Sequence, residues 1–367
     1  DNLIMANNRA RVLVWDPTNF WYYEGTPSHK DTLYKTIQNA YNKGFDVVRL
    51  QGTKANPRHL TAQELAELNQ FDLIVFDCAT VDLTKEEFNA YLEYLNNGGR
   101  ILFQVENAQS AKPTDLRQQM NTKSSEIAQS LGGQFTAHAG EVVRDGTVAK
   151  KWTTPARAAE LTKDMSGSWG INVGAYITSS SDKVYPLMTA KTTTGKESYV
   201  ICDQDAGNRD GSQWGALTIV GDADVFHYSA TTTGQSTGGS FIRNLVLNTV
   251  TRRISAAAGV NPNSEFDAWQ ATTTTTTTTE ETNYRTPYAA LQKAVENNTV
   301  TLLLNSRGGA VNPTRDELLF EKSTLAYEQG SQYDGSKIHA DTAGVYLDIT
   351  KTGEVNLRSG TVTVTPN

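Results

Sequence analysis

Four short apolar runs, each separated from the next by a helix-like segment, constrain the fold of this chain more than any other feature. They are RVLVWD (Arg11–Asp16), FDVVRL (Phe45–Leu50), FDLIVFDCA (Phe71–Ala79) and RILFQVE (Arg100–Glu106). They are apolar almost throughout rather than alternating, the pattern of strands covered on both faces. Between them lie Ser28–Gly44, Thr61–Leu68 and Leu83–Gly99. In the first, Leu33, Ile37, Ala40 and Tyr41 recur at helical spacing, and Gly44 is a stop signal. The second and third open on Thr61 and Thr84 with Glu64 and Glu87 three residues on, which is the capping-box pattern. Strand–helix–strand repetition of this kind implies right-handed crossovers and a mainly parallel sheet, so the fold class is α/β.

A further helix is expected around Ser124–Leu131, stopped by Gly132 and Gly133. Residues Gln134 to Pro186, rich in Gly, Ser and Thr, read as loops or a small insertion. Tyr199–Asp205 and Gly215–Phe226 supply two more strands, and Ser240–Ile254 a closing helix. The expected organisation is an α/β domain over residues 1–255, a Thr-rich linker over 256–287 and a small β-rich domain over 288–367. The linker holds eight consecutive threonines, Thr272–Thr279. That composition suits a solvated, O-glycosylatable spacer, and β-branched threonine favours extended backbone. In the tail, Tyr288–Asn298 looks helical. GVYLDIT and EVNLR flank Lys351–Gly353 as a hairpin would.

The segment FDLIVFDCATVDLTKEEFNAYLEYLNNGGRILF resembles the class I glutamine-amidotransferase-like superfamily. GALTIVGDADVFHYS followed by FIRNLVLNTVTRRI resembles its non-catalytic branch, which includes gliding-motility ABC-transporter auxiliary proteins and the related intraflagellar-transport domain. The resemblance spans about Arg11–Ile254 and implies a flavodoxin- or amidotransferase-like sheet. Catalytic members carry a nucleophilic Cys in a glycine-flanked turn after a central strand. Here the corresponding stretch, Val105–Pro113, reads VENAQSAKP, with neither Cys nor flanking Gly. Cys78 lies one strand earlier without such an elbow; His227 could supply a base, or be a lone surface histidine. Cys78 and Cys202, the only cysteines, both sit in apolar runs and read as buried thiols, with a disulfide left open. No Cys/His cluster suggests zinc.

Ligands of parallel sheets bind at the carboxyl ends of the strands. Asp16, Asp77, Glu106, Asp203, Asp222 and Asp224 all follow apolar runs and are candidate ligand-binding residues. A converging set would suit a hard cation, Ca²⁺ or Mg²⁺, the one cofactor class the sequence suggests. Each acid would equally serve as a cap of the following turn. Trp21, Tyr22 and Tyr23, in the loop after the first strand, are candidates for gripping a sugar or a partner, or for covering the sheet edge as local core.

A net charge of −7 argues against non-specific nucleic-acid binding, and no apolar run is long enough to span a membrane. The start at Asp1, the threonine content and the sequon at Asn297 fit a secreted protein whose signal peptide has been removed. The leading expectation is a non-enzymatic extracellular or cell-surface structural protein, a subunit of a filament, sheath or surface assembly. Its partners would be copies of itself or other surface proteins. The alternatives are a carbohydrate-binding or adhesive module that takes a glycan, and a metal-assisted hydrolase using the strand-end carboxylates.

Overall fold

The computed structural model describes residues 10–43, 45–144, 150–152, 161–162, 165, 173–227 and 237–257, and six short strands between 300 and 365. In chain order the first elements are β1 (Arg11–Asp16), α1 (Phe20–Glu24), α2 (Thr32–Lys43), β2 (Asp46–Gln51), α3 (Ala62–Ala66), β3 (Leu73–Asp77), α4 (Lys85–Asn96), β4 (Arg100–Gln104) and α5 (Leu116–Ser130). Then come β5 (Thr136–Arg144), β6 (Lys150–Trp152), β7 (Val173–Thr178), β8 (Val184–Lys191), β9 (Glu197–Ala206), β10 (Gly215–Val220), α6 (Asp224–His227) and α7 (Thr237–Ala257).

The ten strands form one mixed sheet flanked by helices, so the α/β class holds. One half, in the order β2-β1-β3-β4-β10, is parallel throughout. The other half is antiparallel: β9 pairs with β10, β7 and β8 with β9, β5 with β7, and β6 with β8. The stretch 134–186, expected as loops or a small insertion, contributes β5, β6, β7 and the start of β8. β5 is irregular: its register breaks between His138 and Val142, around Gly140 at φ 82°. The direction of β9 follows from its connections. β8 and β9 are joined by a tight turn in which Thr192 N donates to Lys196 O (2.7 Å), with Gly195 at φ 90°. That hairpin sets β9 against β8. The short link 207–214, in which Arg209 N donates to Ser212 O (2.7 Å) with Gly207 and Gly211 at φ 84° and 80°, sets it against β10, so β9 cannot run with the parallel strands.

Both expected capping boxes form, at Thr61/Glu64 and Thr84/Glu87. The fifth helix is longer than expected because Asp115 caps it, accepting from the backbone of Arg117 and Gln118. α7 runs to Ala257, so the first two residues of the expected linker are helical.

The register of the parallel strands places Trp15 beside Phe76 and Phe76 beside Phe103 on one face. Their rings meet edge-on at 4.9 and 5.1 Å, and Tyr91 of α4 closes on Phe76 at 4.9 Å. Burying a side chain of this size contributes about 2–3 kcal/mol, so this aromatic row is a large part of the core. α7 covers the opposite face. There Arg100, at the start of β4, donates to Leu245 O and to Asp203 Oδ2, both at 3.3 Å.

Two further antiparallel sheets lie in the C-terminal part. One is β11 (Val300–Leu304), β14 (Val345–Ile349) and β15 (Val355–Ser359); the other is β12 (Thr324–Ala326), β13 (Lys337–Ala340) and β16 (Val362–Thr365). β14 and β15 pair as the expected hairpin would require. The threonine run and the helix expected at Tyr288–Asn298 lie outside the described residues. Among the described residues no helix is long and apolar enough to cross a membrane.

Candidate site at the carboxyl edge of the sheet

In the order β2-β1-β3 the chain leaves β1 for one neighbour and returns on its other side, so the gap between β1 and β3 is a topological switch point. Each strand beside it ends in a polar residue. Gln51 pairs with Asp16, Asp77 pairs with Gln104, and Trp15 pairs with Phe76 one step earlier, so Asp16 and Asp77 are neighbours in register. The pleat sends successive side chains to opposite faces. The row Gln51–Asp16–Asp77–Gln104 therefore lies on the face opposite the aromatic core.

Asp16 accepts from Gln51 Nε2 (2.9 Å) and from Phe20 N (3.3 Å). Burial nonetheless pushes its carboxyl above the usual range. Asp77 is pushed up to about 8, first by burial and then by the charge of Asp16. Its Oδ1 and the Oε1 of Gln104 have no hydrogen-bond partner among the described residues.

Cys78 follows Asp77 at φ 52°, a strained conformation for a non-glycine residue. Its amide donates to Gln104 O (3.2 Å), and Gln104 Nε2 lies 3.9 Å from its sulfur. The side chain is fully buried. Burial, then the charges of Asp77, Asp16 and Glu106, push the thiol well above its ordinary range. The next helix begins only at Lys85, so no helix N-terminus favours the thiolate. Cys202 is likewise free and buried.

The turn after β4 holds buried Glu106. Glu106 Oε1 accepts from the backbone and side-chain nitrogens of Asn107, both at 2.8 Å, and Oε2 from Ala223 N at 3.0 Å. It thus ties the end of β4 to the end of β10, while burial raises its pKa. Asp222 accepts from Asp224 N (2.9 Å), a turn cap, and Asp224 Oδ1 meets His29 Nε2 at 2.9 Å.

Asp203 does not belong to this edge. Because β9 is antiparallel, Asp203 sits opposite Thr218 in mid-sheet, accepting its hydroxyl (2.6 Å) and pairing with buried Arg100. Of the two roles open to the aromatics after β1, Trp21 takes that of local core. Trp21 is only 1% exposed, Tyr23 is half-buried against the core, and Tyr22 at 67% is the one large hydrophobic side chain exposed among the described residues. Trp21 cannot grip a ligand because the edge itself has taken it up. It stacks at 5.0 Å from His29, with the Arg117 guanidinium 5.4 Å from its ring centre.

Residues 17–29 thereby close the edge. Thr18 and Thr80 hydroxyls are 2.6 Å apart, Arg117 Nε donates to Glu24 (3.0 Å), and His29 reaches Asp224 beyond β3 and β4. Sequence reading missed Gln51, Gln104, His29 and Arg117. The two glutamines carry the same signal as Asp16 and Asp77, a polar residue ending an apolar run. His29 and Arg117 carry none. The side chain of His227 lies outside the described residues. Among them, no group of three or more His, Cys, Asp or Glu is placed to hold a metal ion.

No family model matches the chain, and no curated protein matches it. Solved structures similar to it include the mmIFT52 N-terminal domain, at 14% identity over 59% of this chain and 88% of that one, TM-score 0.38. A β-galactosidase from Rahnella sp. R3 is 13% identical over 60% of this chain and 30% of that one, TM-score 0.34. ThuA-like proteins from Bacteroides uniformis and Parabacteroides merdae are 12% and 13% identical, over 70% of this chain and 95% and 92% of theirs, with TM-scores of 0.38 and 0.39.

Proposed function

We propose that this chain is a non-enzymatic structural subunit of an extracellular or cell-surface assembly, a filament, sheath or surface layer. Its α/β part would belong to the non-catalytic branch of the glutamine-amidotransferase-like superfamily. The observation that carries the non-enzymatic reading is the closed carboxyl edge. The chain's own Phe20 and Trp21 are buried there, and the turn after β4 carries no cysteine; it carries Glu106, whose carboxyl accepts from two backbone amides. Cys78, the one thiol at this edge, is buried and disfavoured as thiolate. Such a scaffold is suited to holding partners rather than turning over a substrate.

The surface-assembly part rests on the threonine run and the strand-rich tail. Light scattering coupled to size-exclusion chromatography, with electron microscopy of the same fractions, tests it. Polymers or large oligomers of the full chain are expected, and a monodisperse monomer at all concentrations would overturn the assembly reading. A glycan-binding role retains only Tyr22 as an exposed ring among the described residues, and a single ring is a poor stacking platform.

A further inference from the structure

Asp77 Oδ1 and Gln104 Oε1 sit on neighbouring strands, on one face, both buried and both without a hydrogen-bond partner among the described residues. With Asp77 ionised both are acceptors, and a buried acceptor left unpaired is costly. Asp16 adds a second buried carboxyl next in the row. The cation that acts on both acids, Arg49, is engaged elsewhere: it pairs with Asp31 at 2.7 Å and donates to Lys30 O at 2.6 Å. The result is two unpaired buried oxygens on neighbouring strands, beside a second carboxyl, at the switch point where this topology binds ligands.

We propose that Asp16, Asp77 and the amide oxygen of Gln104 form a binding site for a divalent hard cation of the Mg²⁺ or Ca²⁺ class, beneath the closing segment. Two carboxylates with amide oxygens are the donor set such ions take, and it falls below the three acidic, His or Cys groups of a more heavily charged site. Asp16 also accepts from Phe20 N, so a cation here would fix the start of the segment that covers the edge. The inference does not rest on the non-enzymatic reading, since a structural ion leaves the edge closed.

Chelator-treated full-length chain is titrated with MgCl₂ and CaCl₂ by calorimetry, and its thermal unfolding is followed at matched concentrations. Wild type is expected to bind one ion saturably and to unfold several degrees higher at a hundredfold excess over Kd. Asp77→Asn is expected to bind at least tenfold more weakly. Should that variant not fold, Gln104→Leu provides the same comparison with no change in charge. Absence of saturable binding by wild type would overturn the proposal, and so would equal binding by the variants. In either case a proton or a water molecule meets the orphaned oxygens, and the oligomerisation experiment above is unaffected.

Discussion

His29 Nε2 lies 2.9 Å from Asp224 Oδ1, joining the segment after β1 to the helix after β10 across the two strands between them. The contact raises the pKa of His29, chiefly through the hydrogen bond its Nε2–H donates to Asp224. A histidine whose pKa is higher in the folded state contributes stability that is complete below its unfolded value, near 6.5. That contribution is lost as pH rises through the folded value. Both side chains are about one-quarter exposed, so solvent screening limits the effect to about 1 kcal/mol or less. Urea unfolding between pH 5.5 and 8.5 should show this fall in wild type, and Asp224→Asn should flatten it.

The four strands β1 to β4 and their helices were legible because each strand is a continuous apolar run and two of the helices begin with a capping box. The antiparallel half was not, for a physical reason. An acid after an apolar run looks the same whichever way the strand runs, so Asp203 in β9 could not be told from Asp77 in β3. Direction is set by the short 207–214 link between β9 and β10, whose residues are ordinary loop residues in sequence. Trp21 shows a second limit. An aromatic after a strand can cap the edge or face water, and only the placement of His29 and Arg117, from distant parts of the chain, decides between them.

Trp21 and its neighbour Tyr22 should separate sharply on mutation. Trp21→Ala removes a fully buried ring packed between His29 and Arg117, and should cost about 3–5 kcal/mol. Tyr22→Ala alters an exposed ring and should change stability by no more than about 0.5 kcal/mol. Chemical denaturation of the two variants measures both.

Asp203 acts in the core rather than at the sheet edge. Asp203→Ala strands the buried guanidinium of Arg100 and should cost about 3–5 kcal/mol. The same substitution should leave cation binding by any folded fraction unchanged. A stability loss below about 1 kcal/mol would show that the Arg100–Asp203 pair is not an organising contact of the mid-sheet.

Alkylation of the native protein at neutral pH, read by peptide mass spectrometry, asks whether the carboxyl edge is closed. With Phe20 and Trp21 buried over it and its thiol held protonated, Cys78 should remain unmodified for hours under native conditions and react fully in denaturant. Rapid stoichiometric labelling of Cys78 in the folded chain would mean an open edge with a reactive thiolate, and would contradict the non-catalytic account.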